Sequence, residues 1–108
     1  MNMEEQIMQI ILFSGNAKST AFEAIQAAKD KDIEQANALL EQANEELGNA
    51  HKVQTFLIQS EIRGEKIETS LLLIHAQDHL MNAITFKDLA GEFIALYETV
   101  NNYTKISQ

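Results

Sequence analysis

IEQANALLEQANEELGNAHKVQTFL, residues 33–57, carries the clearest period in the chain. Ile33, Ala36, Leu40, Ala43, Leu47, Ala50, Gln54 and Leu57 recur at alternating steps of three and four, the seam of a helix that packs in the manner of a coiled coil. Ala alternating with Leu lets neighbouring helices come close. The opposite face, with Glu34, Gln35, Glu41, Glu45 and Glu46, reads as a solvated surface, and His51, beside Lys52, as an ordinary surface or boundary histidine. Asp32 followed by Gln35 is a capping-box pair that starts this helix at Ile33. Arg63 and Gly64 end it, a cation in the last turn followed by a residue that accepts a left-handed conformation.

Working outward from this helix gives two more. Towards the N-terminus, Met3, Ile7, Ile10, Ala17, Ala21, Ala24 and Ala28 keep steps of three, four and seven, which predicts a helix from Met3 to about Lys29. Its middle holds Ser14-Gly15-Asn16, and glycine there costs about 1 kcal/mol relative to alanine. Two explanations stand: Gly15 lets a neighbouring helix approach closely, or Ser14 or Asn16 lines a site built by another helix or another subunit. Towards the C-terminus, Thr69 or Ser70 can cap a third helix through Leu71, Ile74, Met81, Ile84, Phe86, Leu89, Phe93, Ile94, Leu96, Tyr97 and Val100. Its apolar residues point in too many directions for a helix with one wet side. From Asn101 onward the chain reads as fraying, so residues 1–104 form one domain and 105–108 a frayed tail. The expected fold is all-α, an antiparallel up-down-up three-helix bundle. A lone bundle of such rods leaves the third helix partly uncovered; self-association would cover it, and a different protein docked on the patch is the alternative.

Composition agrees with helix and narrows the function. The 108 residues include no Pro, no Cys and four Gly. Disulfides, thiolate chemistry and Cys-ligated metals are excluded, and a reducing compartment is expected. No stretch approaches the ~20 apolar residues of a membrane span, and Glu4 and Glu5 stand where a signal peptide would carry positive charge. A cytoplasmic protein without direct membrane insertion is expected. Sixteen acidic against eight basic residues give a net charge of −8, which repels nucleic acid.

Polar chemistry concentrates in Leu71 to Met81. His75 and Asp78 are three apart, His75 and His79 four apart, so all three share one helical face between apolar residues. A neutral imidazole can be a phosphoryl-accepting nucleophile, a metal ligand, a general base, or a satisfied polar residue in a helix interface. The metallopeptidase motif is not matched, since its glutamate follows the first histidine and Ala76 stands there. A phosphorelay histidine domain is also helical, but the Lys-Gly pair that usually follows its histidine is missing. A phosphohistidine carrier of another kind, a metal-binding bundle using His75, Asp78 and His79, and a non-enzymatic helical interaction module stay open.

The segment Ser70-Leu71-Leu72-Leu73-Ile74-His75-Ala76-Gln77-Asp78-His79-Leu80-Met81 resembles the signature of the lactose/cellobiose family of enzyme IIA components of the bacterial phosphoenolpyruvate-dependent sugar phosphotransferase system. Ser14-Gly15-Asn16-Ala17-Lys18-Ser19, Ala50-His51-Lys52-Val53-Gln54-Thr55 and Lys87-Asp88-Leu89-Ala90 extend the resemblance over nearly the whole chain. It implies a homotrimer, a nine-helix bundle, phosphorylated on His75. The donor would be the phosphocarrier protein HPr and the acceptor the cysteine of the cognate enzyme IIB, which phosphorylates a disaccharide as the membrane component IIC imports it. Gln77 and His79 match positions near the phosphoryl group. Asp78 matches an aspartate at the trimer axis that binds a shared divalent cation, usually Mg2+. Ala76 is closer to the cellobiose and diacetylchitobiose branch than to the lactose branch, which as a rule carries glycine there.

Overall fold

Local chemistry at the helix ends determines where each element begins and stops. In the computed structural model, which describes residues 2–107 and side chains 2–104, α1 spans Met3–Lys29, α2 Ile33–Ile62 and α3 Leu71–Ser107. Asn2 caps α1, its Oδ1 accepting from the Glu5 N–H at 2.8 Å. Glu4 and Glu5 place negative charge on the first turn, where the helix dipole favours it. Asp32 caps α2 by accepting from the Gln35 N–H at 3.1 Å, the first half of the capping box read from the sequence.

The two connections are built alike. After α1 the Lys31 N–H donates to the Ala28 carbonyl at 3.0 Å and the Asp32 N–H to Ala27 at 2.9 Å. After α2, Gly64 donates to Glu61 at 3.0 Å and Glu65 to Ser60 at 3.1 Å. Both are Schellman closures, which satisfy the last carbonyls and turn the chain back. Each needs one residue at positive φ, and these are Lys31 (70°) and Gly64 (90°).

The helices pack as an antiparallel up-down-up bundle 63 Å long and 19 Å across in both other directions. Helix α1 lies against both partners, and α2 and α3 touch each other less. The core is a row of fully buried alanines, among them Ala17, Ala24, Ala43, Ala76, Ala83 and Ala90, spaced by Ile10, Leu47, Leu57, Leu80 and Ile94. Small residues at the crossing points bring the axes together, and the larger ones fill the layers between. The predicted seam of α2 is the buried one, with Ala36, Ala43, Leu47, Ala50 and Leu57 inside and Ile33, Leu40 and Gln54 half-buried. The backbone of α3 is helical through Ser107, past Asn101, where the sequence places the onset of fraying. Gln108 and the side chains after Thr104 lie outside the described residues.

Candidate functional site

The site begins at the start of α3. Ser70 Oγ accepts from the Leu73 N–H at 3.1 Å, so the helix opens at Leu71 and His75 falls in its second turn. His75 is exposed and His79 half-buried. Their rings lie nearly parallel, 11° apart in plane and 5.9 Å between centroids. The imidazoles therefore form one polar face, with His75 outermost and open to an incoming group.

Helix α1 supplies the floor. A Cβ placed on Gly15 would stand 3.4 Å from His79 Nε2, at van der Waals contact, so the His79 ring lies beside α1 at this position and an alanine there would touch it without displacing it. What faces α1 at Gly15 is the His79 side chain of α3, and Gly15 itself lines the groove beside that ring. Asn16 is exposed. Ser14 is fully buried, and its hydroxyl has no hydrogen-bond partner among the described residues.

Beside His79 runs an open groove of about 520 Å³ lined by Gly15, Lys18, Ser19, Phe22, His79 and Phe86. The Lys18 ammonium sits 5.9 Å from the centre of the Phe86 ring, and Phe22 and Phe86 stack at 6.4 Å. Sequence reasoning assigns none of Lys18, Phe22 and Phe86 to the site: Lys18 stands only within the Ser14–Ser19 segment, and Phe86 only among the apolar positions of the third helix. The signal was there: Phe22 is seven residues from Gly15 and Phe86 seven from His79, so each repeats the face of a site residue two turns on.

Gln77 is not brought to the histidines of its own chain. Two residues from His75 is a rotation of roughly 200° about the helix, and Gln77 lies on the α2 side, its Oε1 accepting from Gln54 Nε2 at 2.7 Å. Asp78 faces away from the core and is exposed, with a long contact from Asn82 Nδ2 at 3.4 Å. It interrupts an outward apolar stripe made by Leu71, Ile74, Met81, Leu89, Leu96 and Val100, all exposed. Among the described residues no group of three or more His, Asp or Glu in one chain could hold a metal ion.

The family model "PTS system, Lactose/Cellobiose specific IIA subunit" matches residues 5–98. The lichenan-specific phosphotransferase enzyme IIA component of Bacillus subtilis is 58% identical over 91% of this chain and 89% of its own. The crystal structure of the cellobiose-specific enzyme IIA from Bacillus anthracis superposes with a TM-score of 0.90 at 54% identity, covering 94% of both chains. The IIA(Chitobiose) chain solved in complex with HPr from Escherichia coli gives a TM-score of 0.83 at 39% identity, over 94% of this chain and 98% of that one. None of the helices is long and apolar enough to cross a membrane among the described residues. A three-helix fold shared over nearly its full length, together with a family match over residues 5–98, places this chain in the lactose/cellobiose-specific IIA family, as a component of a sugar phosphotransferase system.

Proposed function

We propose that His75 is the phosphoryl acceptor and that this chain carries the group from phospho-HPr to the cysteine of its enzyme IIB in the cytoplasm. The carrying observation is the stacked, outward-facing pair of His75 and His79. A nitrogen of the neutral His75 ring attacks phosphorus, and the donor leaves with the bonding pair. The IIB thiolate later attacks in the same way, and the imidazole is the leaving group. Little more than positioning and charge stabilisation is required of the protein. His79, one turn away, can donate a hydrogen bond to a phosphoryl oxygen. The floor at Gly15 and the groove beside it leave room for the group. The HPr complex of the chitobiose relative supports HPr as the donor.

The outward stripe on α3 supports self-association, and the family resemblance implies that it takes the form of a homotrimer, with three copies of α3 packed about a common axis and their apolar residues covered. Asp78 lies within that stripe, so three carboxylates would meet at the axis. Oxygen donors of this kind fit a hard divalent cation such as Mg2+, which would supply charge neutralisation there. The lichenan and cellobiose relatives support a sugar of the cellobiose type over lactose, in line with Ala76.

Labelling tests the central claim. Incubation with phosphoenolpyruvate, enzyme I and HPr should attach one acid-labile phosphate per chain, and His75→Gln should take none while keeping its helical circular dichroism. Full labelling of His75→Gln would move the acceptor elsewhere. A folded wild type that takes no label would favour a non-enzymatic helical module.

A further inference from the structure

The hydrogen bond between Gln54 and Gln77 joins α2 to α3 on the side of the bundle away from the histidines. With Asp78 turned to the axis of the proposed trimer, His75 lies roughly 60° to one side of that direction and Gln77 roughly 100° to the other. Around a threefold ring the His75 flank of each subunit then meets the Gln77 flank of the next. Residues 75 and 77 differ by only ~3 Å in height along the helix. Gln77 is thus placed to serve the histidine of a neighbouring subunit, as its distance round the helix from its own His75 requires.

An amide in that position has two orientations of opposite effect. With nitrogen outward it donates to a phosphoryl oxygen; with oxygen outward it repels one. The bond at 2.7 Å runs from Gln54 Nε2 to Gln77 Oε1, so it holds the oxygen inward against α2. Both Nε2 hydrogens of Gln77 are left uncommitted among the described residues. We infer that Gln54 is a positioning residue for phosphoryl transfer: by donating to Gln77 Oε1 it turns the Gln77 amide donors towards the phosphoryl group on the adjacent subunit's histidine. This rests on the carrier and trimer reading above and adds to it a role for α2.

Gln54→Leu removes the donor without adding charge, and Gln54→Met is a second variant of similar size should leucine disturb the fold. The expected result is full labelling at the end point but a rate of transfer from HPr lowered roughly tenfold, the worth of one hydrogen bond to a charged group. A structural role could also slow transfer, so the deciding arm uses mixed trimers. Gln54→Leu is co-refolded with a large excess of His75→Gln, which cannot be phosphorylated but keeps an intact Gln54–Gln77 pair. Label on the Gln54→Leu chains should return to the wild-type rate, since their histidines now face neighbours with oriented amides. Wild-type rates for both Gln54 variants alone, or no recovery on mixing, overturns the proposal. Absence of label on the wild type overturns the carrier reading itself, which the other outcomes leave standing.

Discussion

Ser14 presents, in the middle of α1, a buried hydroxyl without a hydrogen-bond partner among the described residues. Leaving such a group unpaired costs about 1–3 kcal/mol, and serine is a weaker helix former than alanine. Ser14→Ala is therefore expected to raise unfolding free energy by about 1 kcal/mol, read by urea denaturation, with the labelling rate unchanged. A slower carrier would assign the hydroxyl to the site. The neighbouring Gly15 shows how far the candidate site was legible from residues alone. An unexplained mid-helix glycine is a sign that something comes close, but only the fold reveals that it is the His79 ring. His75 and His79 were legible as a pair because their spacing is helical. The partner of Gln77 was not, because it lies 23 positions earlier on another helix.

At the scale of elements, the helix ends invite comparison, because two closures of the same geometry carry different residues. Gly64 takes its positive φ of 90° without strain, whereas Lys31 is held at 70° with a Cβ. A non-glycine residue in the left-handed region costs roughly 1–2 kcal/mol, part of which glycine returns through its greater freedom when unfolded. Lys31→Gly should accordingly stabilise the protein by up to about 1 kcal/mol, and Gly64→Ala should destabilise it by about the same amount. Thermal melts of the two variants should move in opposite directions; a fall for Lys31→Gly would mean the lysine side chain contributes something the backbone does not show. Both connections were readable in the sequence because caps are local chemistry, Asp32 with Gln35 and Arg63 with Gly64. The end of α3 was not. Asn101 and Asn102 look like fraying, yet no Gly or Pro stops the helix, and it continues to Ser107. The lack of a clear wet side on α3 was also read correctly without its cause being visible: Ala76, Leu80, Ala83, Ala90 and Ile94 face inward, and a second apolar set faces out.

For the whole molecule, that second set is the question, because a bundle 19 Å across cannot cover it from within. Asp78 is the one carboxylate in the middle of the stripe formed by Leu71, Ile74, Met81 and Leu89. If three copies meet there, each pair of carboxylates at about 4 Å repels by about 4 kcal/mol at the effective dielectric of a partly screened interior. A divalent cation or shared protons must offset this, so chelation at neutral pH should loosen the wild-type trimer. Asp78→Leu keeps the branched shape and the number of side-chain heavy atoms, is somewhat bulkier, and carries no charge. It removes the repulsion together with the need for metal and leaves apolar packing in place, the usual result when a buried charged cluster is replaced as a unit. The variant should stay trimeric in chelator and melt at least as high as the metal-loaded wild type. Asp78→Lys, which brings three ammonium groups to the same place, should break the assembly. Native mass spectrometry with and without chelator reads all of these. A wild type that is monomeric with metal present, or an Asp78→Leu protein that dissociates, would put the carboxylate off the axis and leave the stripe on α3 to some other partner.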